Sequence, residues 1–123
     1  MSGNEILLDT NIIIYLLNGD AELAEFLMDK KLYISFVSEI ELLGFPGITK
    51  AQAKGIQLFL DECICININK QIKKETIRIR RDFNIKIQDS IVIASANFMN
   101  IPVITSDKQF GKVNGLKVLI YEQ

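Results

Sequence analysis

The chain has 123 residues, of which 49% are hydrophobic and 24% are charged, and its formal net charge is −1. This length fits a single domain over residues 1–123. No apolar run approaches the ~18 residues of a membrane helix, and the first residues lack the pattern of a signal peptide. We therefore expect a cytoplasmic protein that does not contact a membrane. The sequence contains no histidine, which excludes nucleophiles activated by histidine, zinc held by histidine, and histidine acid–base catalysis.

Strands and helices are predicted to alternate along the chain. Short apolar runs predict buried strands, and apolar residues that recur every three to four positions predict helices. The predicted strands are residues 5–8, 32–36, 64–68, 102–105 and 116–121. The predicted helices are residues 10–17, 21–28, 39–44, 50–61, 70–83 and 89–98. Because helical connections favour parallel pairing, the sequence predicts an α/β fold of three layers, α/β/α, with a central, mostly parallel sheet of about five strands.

Capping residues mark the expected starts of several helices. Thr49 has a side chain that accepts hydrogen bonds from a first helical turn. Ser38 is followed three residues later by Glu41, which is the capping-box pattern, so the third helix is expected to start after Ser38 with Glu41 in its first turn. Asp9 and Asp89 each stand where a helix is expected to begin, and capping alone would explain either of them.

Both cysteines, Cys63 and Cys65, lie at the start of the third predicted strand, where a spacing of two points their sulfur atoms to the same face. A zinc site would need further cysteine or histidine ligands, which the sequence does not contain. We therefore expect buried, reduced thiols with a structural role.

Charge is distributed unevenly along the sequence. Residues 1–69 hold four basic and ten acidic residues, a balance of −6, whereas residues 70–123 hold ten basic and five acidic residues, a balance of +5. Seven of the fourteen basic residues fall between Lys70 and Lys86. This pattern fits an acidic site beside a basic face that binds a phosphate polymer, and it fits a solvated helix face equally well.

Four acidic residues are expected to meet at one edge of the sheet, because ligands of such folds bind outside the carboxyl ends of parallel strands. They are Asp9 after the first strand, Glu41 on the helix after the second strand, Asp89 at the start of the helix before the fourth strand, and Asp107 just after the fourth strand. Like charges so close repel unless a cation neutralises them or some of the carboxyl groups stay protonated, and Mg²⁺ or Mn²⁺ suits an all-oxygen site. Glu39 is the alternative to Glu41 as the member of this acidic cluster. An offset of two residues points the two side chains to different faces of a helix, so only one of them should face the site.

Four sequence blocks resemble the signature of the PIN-domain family in its usual order. The blocks are Leu7-Leu8-Asp9-Thr10-Asn11, Ile34-Ser35 through Glu41-Leu42, Gln88-Asp89-Ser90 through Ala94-Ser95-Ala96, and Val103-Ile104-Thr105-Ser106-Asp107 through Phe110. The resemblance covers essentially the whole chain and is strongest to VapC-type toxins of toxin–antitoxin pairs. It implies a PIN-like fold and an acidic quartet, Asp9, Glu41, Asp89 and Asp107, that holds divalent metal, with Asn11 and Thr105 as supporting polar residues. It also implies a small antitoxin whose tail occupies the active-site groove and, usually, a homodimer.

The resulting hypothesis is an endoribonuclease dependent on Mg²⁺ or Mn²⁺ that acts as the toxin of a VapBC-type pair. In this hypothesis Asp9 and Asp89 bind metal directly, while the other two acidic residues bind a second ion or orient the attacking water. Basic residues of the 70–83 helix are expected to contact RNA phosphates. These residues are Lys73, Lys74, Arg78, Arg80 and Arg81.

Two alternatives remain open from the sequence. The chain could instead be a non-catalytic PIN-like module that binds RNA or docks a protein and keeps a vestigial acidic site. The apolar residues Tyr15, Leu16 and Phe26 of the early helices fit a dimer interface and fit core packing equally well.

Overall fold

The computed structural model describes residues 3–123, so the first two residues of the expected domain lie outside the described part. The strands are β1 (Glu5–Leu8), β2 (Lys31–Ser35), β3 (Ile64–Ile66), β4 (Val103–Thr105) and β5 (Val118–Ile120). The helices are α1 (Thr10–Leu17), α2 (Ala21–Leu27), α3 (Phe36–Leu43), α4 (Lys50–Asp61), α5 (Lys70–Phe83) and α6 (Ile87–Met99), and a 3-10 helix, Lys108–Lys112, lies between β4 and β5. None of the helices in this described range is both long and apolar enough to span a membrane.

The five strands form one sheet in the order β3-β2-β1-β4-β5, and every neighbouring pair is parallel. Leu8 of β1 is aligned with Ile34 of β2 on one side and with Ile104 of β4 on the other. The chain moves outward from β1 to β3 and then crosses to β4, so β1 and β4 flank the point at which the strand order reverses. This is where ligands bind in open parallel sheets. The prediction of a parallel sheet of about five strands is confirmed.

Apolar side chains form two cores, one on each face of the sheet. Ile6 and Leu8 belong to the core that contains residues of α1 to α4, whereas Leu7 belongs to the core that contains residues of α5 and α6. Successive residues of a strand point to opposite faces, so β1 is apolar on both sides because helices cover both faces. The predicted three-layer arrangement is therefore confirmed.

Helix α3 starts earlier than the sequence predicts. Its N-cap is Ser35, whose Oγ accepts a hydrogen bond from the backbone N–H of Val37 at 3.2 Å, and Ser38 is a fully buried residue inside the helix. The predicted capping box of Ser38 and Glu41 is therefore wrong, and Glu41 lies in the second turn rather than the first. The physical reason is that β2 ends at Ser35. This serine stands between extended and helical backbone, where a cap residue belongs, so it caps α3 in place of Ser38.

Helix α6 also starts earlier, at Ile87 rather than at Asp89. Its N-cap is Lys86, which makes no side-chain capping bond, so the sequence offers no capping signal at the true start. Asp89 is consequently not a cap but a residue of the first turn, where its charge still faces the positive end of the helix dipole.

The two cysteines are free thiols, as expected, but they are half-buried rather than fully buried. Both pack against the core of the α1 to α4 face, so the two sulfur atoms lie on the same side of the sheet, as the spacing of two predicts. Burial raises the pKa of the Cys63 thiol to about 11. Since the thiolate is the reactive form, Cys63 is poorly suited to act as a nucleophile.

Candidate functional site

Asp9 is fixed at the junction of β1 and α1, where it is the N-cap of α1 and only 6% exposed. Its Oδ1 accepts a hydrogen bond from the backbone N–H of Thr10 at 2.9 Å, and its Oδ2 accepts one from the hydroxyl of Thr105 at 2.7 Å. Burial raises the pKa of Asp9 above its ordinary value, the charges of Glu41 and Asp107 add to the rise, and the two hydrogen bonds oppose it. Asp9 is thus both a helix cap and a member of an acidic cluster.

Asp107 reaches the same edge of the sheet from β4. It is the N-cap of the 3-10 helix, and its Oδ1 accepts a hydrogen bond from the backbone N–H of Gln109 at 2.9 Å. The backbone N–H of Asp107 donates to Oγ1 of Thr105 at 3.0 Å. The buried Thr105 hydroxyl therefore joins Asp107 to Asp9, which is the supporting position that the sequence resemblance implies for it.

Glu41, and not Glu39, faces this cluster. The Oε1 atom of Glu41 accepts a hydrogen bond from the hydroxyl of Thr10 at 2.7 Å, and Glu41 lines the same cleft as Asp9. Burial raises the pKa of the Cys65 thiol, and the charge of Glu39 raises it further. Glu39 is therefore close to the edge strand β3, on a different side of α3 from Glu41.

Asp89 completes the cluster from the first turn of α6. Its pKa rises from 3.8 to about 6 because the carboxyl is half-buried and because the charges of Asp9 and Asp107 repel its ionised form, while Lys86 acts in the opposite direction. Among the described residues, none donates a hydrogen bond to the Asp89 side chain that would offset this cost. The four carboxylates are therefore close enough to destabilise one another when all are charged.

The acidic quartet lines one end of an open cleft of about 1180 Å³. Asn11 is also in this wall, with its Nδ2 donating a hydrogen bond to Oγ of Ser106 at 3.3 Å. The other side of the cleft is apolar and is formed by α1, α3, α4 and the α3–α4 loop. Its apolar residues are Ile14, Leu17, Ile40, Leu42, Phe45, Pro46, Ile48 and Ile56.

The donor set fits a divalent metal in its chemistry. Carboxylate oxygens are the ligands that Mg²⁺ and Mn²⁺ prefer, and mutual repulsion within the quartet is what a bound cation would relieve. Within residues 3–123, however, no three acidic or cysteine side chains are arranged as a ready group of metal ligands.

The basic residues predicted to contact RNA do not line this cleft. Arg78 forms salt bridges on its own helix with Glu75 at 2.8 Å and with Asp82 at 3.4 Å. The remaining four are exposed, and three of them, Lys73, Arg80 and Arg81, border a smaller groove of about 500 Å³ between α5 and α6. The structure does not bring these residues together with the quartet.

Lys86 is the basic residue that the sequence reasoning missed. It lines the acidic cleft and lies close enough to Asp89 to lower the pKa of that carboxyl. Lys86 lies three residues before Asp89 at the start of α6. Because residues three apart are neighbours on a helix, this spacing could have identified Lys86.

Comparisons with known proteins place this fold and site in context. The sequence matches the family model of the PIN domain over residues 6–116. A chain of a toxin–antitoxin complex from Klebsiella pneumoniae is similar, with 27% identity and a TM-score of 0.83, over 96% of this chain and 99% of that chain. VapBC-1 from nontypeable Haemophilus influenzae is similar at 25% identity and a TM-score of 0.83, over 94% of this chain and 97% of that chain.

A third solved structure shares the fold at lower sequence identity. It is VapBC2 from Rickettsia felis bound to a DNA fragment from the promoter, with 17% identity and a TM-score of 0.84, over 96% of this chain and 99% of that chain. No curated protein matches the sequence.

Proposed function

The chain belongs to the PIN domain family, and we propose that it is a metal-dependent endoribonuclease that acts as the toxin of a toxin–antitoxin pair. The observation that carries the proposal is the convergence of the acidic quartet, from four distant stretches of the chain, on one end of a single cleft. The similarity to chains of two toxin–antitoxin structures at 27% and 25% identity supports the same conclusion.

In the proposed mechanism the acidic quartet holds Mg²⁺ or Mn²⁺ through carboxylate oxygens. When bound, such an ion makes water a stronger nucleophile and stabilises negative charge on the scissile phosphate. Each oxygen of Asp9 accepts one hydrogen bond and keeps a lone pair for the ion. Asp89 is the other direct ligand in this proposal, and Asp107 and Glu41 hold a second ion or orient the water.

Lys86 is the residue that we propose contacts the RNA phosphate next to the quartet. It is exposed and lines the cleft, and a lysine binds phosphate as a mobile point charge. Contacts from the basic residues of α5 to flanking phosphates remain a prediction, and Arg78 is the least suited of them because two acidic neighbours already neutralise it.

The proposed protein partner is a small antitoxin whose tail occupies the cleft. On the apolar side of the cleft Ile40 is 62% exposed and Phe45 is 66% exposed, so this side offers apolar surface that a partner can cover. A tail with apolar residues and a basic residue would cover this side and pair with the quartet. Both proteins would act in the cytoplasm, as the sequence predicts.

A homodimer is proposed through the face between α5 and α6. Ile68, Ile77 and Ile87 are 46%, 50% and 53% exposed and line the smaller groove. Basic residues border these apolar side chains, as in a polar rim around an interface core. The interface suggested by the early helices is less favoured, because Tyr15 and Leu16 pack against the core, although Phe26 is 50% exposed.

The experiment that tests the proposal is cleavage of single-stranded RNA by the purified chain with Mn²⁺. Asp9→Asn keeps the side-chain shape and removes the charge, so we expect it to fold and to lose cleavage. Asp29→Asn is the matched control, because Asp29 is exposed and does not line the cleft. Cleavage by Asp9→Asn at the rate of the native chain would overturn the proposal.

The non-catalytic module remains the second candidate, and one observation favours it: within the described residues no metal-ligand group is ready-made. A Mn²⁺ titration separates the two candidates. The nuclease should gain thermal stability as Mn²⁺ is added, whereas a vestigial site should show no change.

A further inference from the structure

We infer that Thr10 is a positioning residue for Glu41 and that Ser38 in turn orients Thr10; this inference rests on the proposed function. The hydroxyl of Thr10 donates to Oε1 of Glu41 at 2.7 Å, and Oγ1 of Thr10 lies 2.8 Å from Oγ of Ser38. Thr10 is the first residue of α1, whereas the other two residues belong to α3. The link therefore joins two elements that are not adjacent in the chain.

The direction of these hydrogen bonds follows from a count of protons. An ionised carboxylate only accepts, and a hydroxyl has one proton to donate. Because the proton of Thr10 goes to Glu41, the short contact with Ser38 must be a bond that Ser38 donates. Ser38 is fully buried, so its hydroxyl is held away from competing water, whereas Thr10 is half-buried and its bond to Glu41 is exposed. Ser38 therefore donates a hydrogen bond to Thr10, and Thr10 donates one to Glu41.

Thr10 also contacts a second member of the quartet. Its backbone N–H donates to Oδ1 of Asp9 at 2.9 Å, while its side chain donates to Glu41. One residue at a rigid helix start thus sets the positions of two carboxylates. The bond from Thr10 holds Oε1 of Glu41 in place, which restricts the rotamer freedom that a long side chain otherwise keeps. Oε1 keeps one lone pair for an ion, and Oε2 offers further lone pairs.

The test is the apparent affinity for Mn²⁺, measured by calorimetric titration of the full chain. Thr10→Val removes the hydroxyl but keeps the branched shape and the backbone N–H, and we expect it to weaken Mn²⁺ binding on the order of tenfold, as for other residues that orient ligands. Thr10→Ser restores the hydroxyl and should recover most of the affinity. Thr76→Val is the matched control, because the buried Thr76 hydroxyl bonds only to the carbonyl of Ile72, at 2.7 Å.

A double-mutant cycle with Glu41→Ala distinguishes positioning from a general structural role. If Thr10 acts through Glu41, Thr10→Val should cause no further loss of affinity once Glu41 is absent. An equal loss in both backgrounds would overturn the inference, and so would an unchanged affinity of Thr10→Val. If the native chain binds Mn²⁺ and Glu41→Ala weakens binding but Thr10→Val does not, the inference about Thr10 is refuted and the proposed function is not. If the native chain binds no Mn²⁺, the proposed function fails as well.

Discussion

Replacement of Asp89 by asparagine should make the metal-free protein more stable. The rise in pKa of Asp89 from 3.8 to about 6 would correspond to about 3 kcal/mol if the carboxyl were fully buried. The carboxyl is half-buried, and solvent screening reduces this cost to about 1–1.5 kcal/mol. Loss of a negative charge in the first turn of α6 costs about 0.5 kcal/mol. The cost of burying the charged carboxyl, together with its repulsion by Asp9 and Asp107, is larger than the lost dipole interaction, so Asp89→Asn should gain about 0.5–1 kcal/mol.

The sign of the pH dependence follows from the raised pKa. Above about pH 6 the native protein carries the full cost of an ionised Asp89, and below the unfolded value of 3.8 the residue is protonated in both states, so the cost disappears. The stability difference between Asp89→Asn and the native chain should therefore be greatest near neutral pH and should shrink as the pH falls through about 6 towards 3.8.

Thermal denaturation with a chelator measures this difference. For a domain of this size the expected gain in Tm is about 2–4 °C near neutral pH. Addition of Mn²⁺ should raise the Tm of the native chain and leave that of Asp89→Asn almost unchanged, because the variant lacks a ligand. The reasoning would be refuted by a variant that is less stable than the native chain with the chelator present, or by a difference that does not vary with pH.

Three further predictions concern other parts of the molecule. The hydroxyl of Tyr121 donates to Oδ2 of Asp20 at 2.7 Å, so Tyr121→Phe should lower the urea midpoint of unfolding and leave Mn²⁺ affinity unchanged. Phe110 is fully buried, so Phe110→Ala should cost about 3–5 kcal/mol in the same assay; a loss below 1 kcal/mol would contradict its core position. Ile77→Lys should convert the proposed dimer to a monomer in sedimentation experiments, and a dimer that persists would exclude the α5–α6 face as the interface.

Much of the fold follows from local sequence patterns. The predicted bounds of α4 and α5 agree with the structure, because Thr49 and Asn69 cap their starts and Asn84 ends α5 in the left-handed conformation at φ 54°. Hydrophobic periodicity was also sufficient for the number of strands and their places along the chain, although β3 and β5 are shorter than predicted. These signals are local, so a sequence can carry them without knowledge of tertiary contacts.

The errors arose where two local signals compete. Ser35 and Ser38 can both cap a helix, and only the end of β2 decides between them. Similarly, Asp89 has the chemistry of a cap but lies within α6, because the backbone turns at Lys86 without a side-chain bond. Tertiary placement overrode capping preference in both helices.

The site was predictable as a set of residues but not as a network. Parallel topology brings strand ends to one edge, which is why the quartet could be chosen from sequence. The contact between Thr10 and Ser38 joins residues 28 positions apart, and no local pattern reports it. The basic residues of α5 lie away from the acidic cleft, and their contact with flanking phosphates stays a prediction, since composition does not reveal which way a charged side chain points.

The central claim is that the quartet binds a divalent cation that the RNA-cleaving site requires, and calorimetric titration of Mn²⁺ into the native chain and Asp9→Asn tests it most directly. We expect saturable binding to the native chain and to the Asp29→Asn control, and a loss of binding of at least about tenfold in Asp9→Asn. Equal binding by the native chain and Asp9→Asn, or no binding by either, would contradict the account.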